Sequence, residues 1–248
     1  MPKKNAAKKS RSKAVTRKVP KMRFPGESAA YRRARDELLK AEIKLRRDIE
    51  NVAALRRRLP LGGAVLEDYV FEEGPADLAD TATPRTVRLS ELFTHEAASL
   101  VIYSYMYGPA MANPCPNCTS ILDGLNAIAP HATQRINLAV VAKSPIERLR
   151  TFARTRGWRK LRLLSSANNS YNRDYYGEND EGGQRPNLNV FVKRNGRVHH
   201  VFATELMFAP AGPGMDQRHV DAIWPLWNLF DFTPEGRGAN WYPKLSYA

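Results

Sequence analysis

The sequence predicts an α/β fold, a mixed sheet flanked by helices, with a long N-terminal helix before it and a C-terminal extension after it. Three observations carry that prediction. Apolar strand-like runs alternate with amphipathic helical runs between residues 99 and 166. An Asn-Gly pair then joins two strand-like runs, the strongest short-range hairpin signal. The two cysteines of the 248-residue chain, Cys115 and Cys118, stand together at a strand-to-helix junction.

The N-terminal quarter differs from the rest in charge. Residues 1–60 hold 20 Lys/Arg and 6 Asp/Glu, whereas residues 61–248 hold 19 of each, so the whole net charge of +14 sits at one end. Residues 1–26 read as a basic, solvated tail, with ten basic residues and no acidic one in the first 23. No aromatic side chain is interleaved among those 23 residues to stack bases. Contact with nucleic acid is therefore expected only non-specifically, by counterion release. Residues 27–60 form the predicted long amphipathic helix. Tyr31, Ala34, Leu38, Ile43, Ile49 and Val52 recur at helical spacing, and Pro60 with Gly62-Gly63 ends the run.

Residues 61–248 form the predicted α/β domain. "DYVFEEGP" and "RTVRLSELF" read as short strands. "SLVIYSYMYG" (99–108) reads as a buried strand, in which Tyr103, Tyr105 and Tyr107 share one face as core beneath a helix. "TSILDGLNAIA" sets Ile121, Leu122, Leu125 and Ile128 on one helical face. "RINLAVVAK" and "KLRLLSS" are the next two strands. Between them "SPIERLRTFARTRG" reads as a helix with Ser144 as cap, Pro145 at the first helical position, Glu147 completing a capping box, and Gly157 at the C-terminus. "LNVFVKRNGRVHHVFAT" is the hairpin. A last helix starts from Asp216 and is kinked at Pro225. Residues 167–187 form a polar loop of 21 residues, long enough to suggest function. Tyr171, Tyr175 and Tyr176 in it are expected to help lid the cysteine site; the alternative is local packing.

The cysteine spacing admits three chemistries. At a helix start, unpaired N–H groups and the helix dipole favour a thiolate. Cys115 would then attack and Cys118, one turn on and facing inward, would resolve; Pro116 fits the first turn between them. The second reading is two small apolar side chains at a turn. The third, a metal, lacks a second ligand cluster, since His95, His131, His199, His200 and His219 are scattered without ligand spacing. No metal and no cofactor are expected.

The order strand, cysteine-bearing helix, strand, helix, strand, hairpin, helix is close to the wiring of a thioredoxin-like fold with an insertion. The "ARDELLKAE…RRRLP" helix, "SLVIYSYMYGP", "CPNCTS", "VFVKRNGRVHHVF" and the closing "LFDFTPEGRGANWYPKLSY" extend the likeness. Over most of residues 28–248 the chain resembles an uncharacterised bacterial thioredoxin-like family with a C-P-x-C type motif, known only as a domain of unknown function. The resemblance implies the fold and names no substrate. Compared with thioredoxins, Asn113-Pro114 stand where a Trp precedes the first cysteine, and Pro186 is the candidate for the proline that receives substrate backbone. Compared with peroxiredoxins, Pro116 matches the residue after the attacking cysteine, and Ala112 stands where a Thr belongs.

The expectation is a thiol-disulfide oxidoreductase in which Cys115 and Cys118 are catalytic and Pro114, Pro116, Pro186, Tyr175 and Tyr176 bind substrate. Its substrate would be a disulfide or a peroxide, and its electron donor a dithiol protein or small thiol. A non-enzymatic binding or scaffold module is the alternative, with a thiol peroxidase third. No run approaches the length of a membrane span, and the sequence shows no apolar signal segment. Both point to the cytoplasm. Oligomeric state stays open.

Overall fold

The computed structural model describes residues 22–94, 97–213, 222–238 and 241–247, and divides into two compact units that meet between Arg57 and Arg58. Most of the basic tail, Asp216, His95 and His219 lie outside the described residues.

The first unit is helix α1 (Ala29–Arg57) with the short segment before it. Arg32 is its one buried residue: its guanidinium donates to the Met22 carbonyl and to Asp36, both at 3.0 Å. Arg56 and Arg57 end the helix where the dipole favours positive charge.

The second unit is built on a seven-stranded sheet. Its strands are β1 (Val70–Glu73), β2 (Arg85–Arg88), β3 (Ser99–Ser104), β4 (Asn137–Ala142), β5 (Arg162–Ser165), β6 (Asn187–Arg194) and β7 (Arg197–Ala203), in the spatial order β2-β1-β5-β4-β3-β6-β7. β3, β4 and β5 are mutually parallel and every other pairing is antiparallel. Helices α2 (Pro116–Ala132) and α3 (Ile146–Arg156) make the two crossovers that parallel strands require. β4, buried on both faces, is all apolar after Asn137. At the β6–β7 turn, Asn195 and Gly196 both take positive φ (51° and 78°), as the hairpin signal demands.

Alternation along β3 sorts the interior into two cores. Tyr103, with Tyr105 and Tyr107 beyond the strand end, joins Cys118, Leu122, Leu125, Leu149 and Trp158 under α2 and α3. Leu100 and Ile102 face the other way, onto Tyr69, Phe71, Tyr171 and Phe191. The tyrosines of "YSYMY" are core, as their alternation predicts.

Several local expectations change. In α2, Ala129 is buried and Ile128 is 52% exposed, because the inward stripe drifts by one position over two turns. The α3 capping box does not form. Pro145, at ψ 144°, is itself the N-cap and the helix begins at Ile146, leaving the Ser144 hydroxyl buried without a partner. Gly157 does take the left-handed cap, at φ 71°. Pro225 does not kink the last helix; it caps the start of α5 (Leu226–Asp231), where its missing N–H costs nothing. Residues 167–187 contain a one-turn helix, α4 (Tyr171–Asp174), and a bridge between Glu178 and Gln184.

Candidate active site

α2 begins where the segment after β3 turns back on itself. The Cys115 N–H donates to the Met106 carbonyl at 3.0 Å, and Cys115 takes extended angles (φ −63°, ψ 124°) as the N-cap. Pro116 occupies the first helical position, pre-set for the turn and lacking a donor that would have gone unpaired. The Thr119 N–H and hydroxyl both donate to the Cys115 carbonyl, at 3.0 and 2.9 Å. Thr119 in turn shares a buried hydrogen bond of 2.8 Å with the Tyr105 hydroxyl. Cys115 is thus fixed at a helix mouth by main-chain geometry.

The loop ahead of it is held by Arg148 of α3. Its guanidinium donates to the carbonyls of Gly108 (3.2 Å), Pro109 (3.4 Å), Met111 and Ala112 (3.1 Å), and stacks 4.3 Å from the centroid of the Tyr107 ring. One fork of donors ties down four residues of a segment that has no secondary structure of its own.

The two thiols, both free, meet different surroundings. Cys115 is half-buried at the cap; Cys118, three residues on, points into the core and is 2% exposed. A hydrogen bond from the Cys118 thiol, opposed by partial burial and reinforced by the backbone N–H groups of Cys118 and Asn117, lowers the Cys115 pKa from 9.0 to about 6. The Cys118 pKa moves the other way, well up, driven first by its hydrogen bond to Cys115 and then by burial. Beneath Cys118 lies the Tyr103 hydroxyl, fully buried, with no hydrogen-bond partner of good geometry but near enough to interact with the thiol and ease its ionisation. The pair therefore combines one accessible thiolate with one protected thiol.

Pro114 is buried just before the pair, and Pro186 is half-buried directly ahead of Asn187, the β6 residue that pairs with Ser104 at the end of β3. Tyr175 and Tyr176 are placed elsewhere. The Tyr175 ring packs on Tyr69, Tyr171, Phe191 and His200, on the sheet face opposite α2, and Tyr176 lines a cavity beside it. From the same loop it is Gln184 that lies against the segment after β3: a Cβ on Gly108 would meet its side chain at 2.7 Å. Among the described residues no three His, Cys, Asp or Glu side chains converge as metal ligands. No described helix is long and apolar enough to cross a membrane.

Sequence reasoning missed two neighbours of α2. Trp224 Nε1 donates to Ser120 Oγ at 3.1 Å, so the C-terminal segment packs beside the cysteine turn. Asp123, on the same helix, accepts from Trp158 Nε1 at 2.7 Å and pairs with Arg156, which donates to the Leu245 carbonyl at 2.9 Å. No periodicity signals such pairings; the density of Trp and Tyr after residue 223 was the available sign.

A family model described as a bacterial protein of unknown function, DUF899, matches residues 21–247. The chain belongs to that family. No curated protein matches it. Among solved structures, AhpC of Enterococcus faecalis is 12% identical, with 74% of this chain and 98% of that one covered at a TM-score of 0.44. The peroxidoxin BcpB of Mycobacterium tuberculosis is 20% identical, with coverage of 68% and 96% and a TM-score of 0.39. Thioredoxin peroxidase I of Plasmodium yoelii is 16% identical, covering 70% and 91% at 0.43. The fold of this DUF899 member is thioredoxin-like on its own topology: a strand, a helix opening on the cysteine pair, a parallel strand, and an antiparallel hairpin on the far side of the first strand.

Proposed function

We propose that the protein is a thiol-disulfide oxidoreductase, with Cys115 as nucleophile and Cys118 as resolving thiol. The observation that carries this reading is the opposite displacement of two adjacent thiols, one at a helix mouth and one in the core. With a pKa of about 6, Cys115 is about nine-tenths thiolate at pH 7, against roughly a hundredth for an unperturbed thiol.

The Cys115 thiolate attacks one sulfur of a substrate disulfide. A Cys115–substrate disulfide forms and the second substrate sulfur leaves as a thiolate. That thiolate takes the Cys118 proton, and the resulting Cys118 thiolate, its ionisation eased by the nearby Tyr103 hydroxyl, attacks the Cys115 sulfur. The Cys115–Cys118 disulfide forms, the remaining substrate sulfur leaves and is protonated from water, and two electrons have passed to the substrate. A dithiol protein or small thiol restores the reduced pair by the reverse exchange. Pro114 and Pro116, which flank Cys115 in the chain, and Pro186, ahead of β6, are the proposed substrate contacts. The cytoplasm, a reducing compartment, is the proposed location.

The test is turnover of insulin disulfides with dithiothreitol as donor, beside reduction of hydrogen peroxide, for the wild type and Cys115→Ser. Insulin reduction abolished in the variant supports the reading. Peroxide reduction without insulin reduction moves the assignment to a thiol peroxidase. Neither activity, together with a Cys115 that titrates like an ordinary thiol, leaves the binding-module alternative.

A further inference from the structure

On the sheet face opposite the cysteines, a cavity of about 400 Å³ opens between the end of α4, β6 and β7, and the turn that follows β7. Its size is at the small end of sites for organic ligands. The polar groups of its floor are already committed to one another. Asn187 Nδ2 and Asn189 Nδ2 both donate to the Tyr175 carbonyl at 3.1 Å, and the Thr204 hydroxyl donates to Asn187 Oδ1 at 2.7 Å. His200 Nε2 shares a hydrogen bond of 3.0 Å with Asn189 Oδ1. Burial lowers the His200 pKa and so favours the neutral ring, against the smaller opposing pull of the Phe202 backbone and Glu205. The floor offers a ligand shape and no charge.

The charge in the lining is all of one sign: Asp174 and Glu205, with no Lys or Arg among the lining residues. Asp174 is held in place by hydrogen bonds from the Tyr69 hydroxyl at 2.8 Å and the Ser170 hydroxyl at 2.5 Å. The other walls are aromatic. Tyr175 packs 5.4 Å from the His200 ring, Phe208 is 46% exposed, and Tyr176 is 65% exposed. Tyr176 also sits at φ 56°, a left-handed conformation that a side chain with a Cβ adopts at a cost. Two cations stand outside the lining. The Arg185 guanidinium lies 5.7 Å from the Phe208 ring centroid, and Arg173 lies 3.9 Å from Asp174. Phe208 thus already receives a cation from the chain itself.

From this arrangement we propose a second binding site, for an organic ammonium ion, its charged head among the Tyr175, Tyr176 and Phe208 rings and balanced by Asp174 and Glu205. Aromatic faces attract a cation through their quadrupoles, and the carboxylates add to that attraction. The same carboxylates exclude an anion, and a neutral ligand of the same shape would leave them unused. The proposal needs neither cysteine and stands or falls apart from the thiol chemistry.

The test uses full-length Cys115→Ser protein, calorimetry or ligand-observed NMR, and two probes: choline, and its uncharged isostere with a tert-butyl group in place of the trimethylammonium. Choline should bind about ten-fold more tightly than the isostere. The exposed Glu205→Gln variant should weaken choline several-fold and leave the isostere unchanged. Arg185→Ala, which removes a competing cation, should tighten choline. Equal affinity for the two probes overturns the proposal. So does choline affinity that ignores both Glu205→Gln and Tyr176→Leu, or the absence of choline binding at millimolar concentration.

Discussion

Replacing Cys118 by Ala should raise the pKa of Cys115, although Cys115 itself is untouched. The Cys118 thiol is the largest single contributor to lowering that pKa, ahead of the two backbone N–H groups at the helix mouth. A hydrogen bond to a charged acceptor is worth about 1.5–3 kcal/mol. At about 1.4 kcal/mol per pH unit, its loss raises the midpoint by about one to two pH units. The backbone donors of Asn117 and residue 118 survive the substitution and keep the midpoint below an ordinary thiol. At pH 6.5 the thiolate fraction then drops from about three-quarters to between about a quarter and a few hundredths, and the rate of alkylation drops with it. The assay is the initial rate of iodoacetamide alkylation of the reduced protein across pH, with Cys115→Ser to confirm which thiol is measured. Cys118→Ser, whose hydroxyl can still donate, should lie between wild type and Cys118→Ala. A wild-type midpoint near 8.5–9, or an Ala variant that keeps a midpoint near 6, would refute the reasoning.

Three further outcomes follow from other contacts. Tyr103→Phe removes the hydroxyl that eases Cys118 ionisation, so resolution should slow about ten-fold or more while the first attack keeps its rate. Trapping of the Cys115 mixed disulfide by mass spectrometry checks this, and an unchanged resolution rate counts against a role for Tyr103. Arg148→Lys keeps the charge but loses the fork that holds four carbonyls; it should cost about 2 kcal/mol in urea unfolding and broaden the Cys115 titration. Glu73 is buried, which works against its charge, yet Arg162 and Arg85 hold its pKa below the usual carboxylate value. Because the folded pKa is the lower one, its stabilisation is present above about pH 4.5 and is lost as the pH falls below that. Acid unfolding of Glu73→Gln should therefore show a weaker pH dependence than wild type.

What could be read from the sequence was local. Asn195-Gly196 and Gly157 needed positive φ, and only a few residue types accept it cheaply. Tyr103, Tyr105 and Tyr107 alternated, and a strand has a period of two. Cys115 and Pro116 carried the signature of a helix start because cap chemistry involves neighbours in the chain. What escaped depended on partners far apart. Arg148 reaches back 36 to 40 residues to the loop it holds, and Arg162 is 89 residues from Glu73. Trp224 meets Ser120 across 104 residues. Tyr175 and Tyr176 sat in an aperiodic loop, where nothing in the spacing says which face of the sheet a ring will join. They joined the face away from the cysteines. The α3 capping box failed for a different reason: Ser144 and Pro145 satisfied the pattern, but the proline took extended angles and became the cap itself.

The chemistry attributed to the pair comes from where the fold puts two identical side chains. Cys115 and Cys118 have the same intrinsic acidity, and their separation of three residues brings them onto one helical face. The N-cap lies half a turn outside the helix, so Cys115 keeps access to solvent and to unpaired N–H groups. The next turn is already packed on β3, so Cys118 lies against Tyr103 in a core. Each thiol then amplifies the other's displacement, because the hydrogen bond that stabilises the outer thiolate is the one that holds the inner proton. A CxxC on a solvated helix would lack the burial that separates the two acidities, and one buried throughout would lack an accessible nucleophile. The proposed division of labour therefore depends on Pro116 starting the helix at that residue. Moving the start by one position would turn both thiols by about 100° relative to the core.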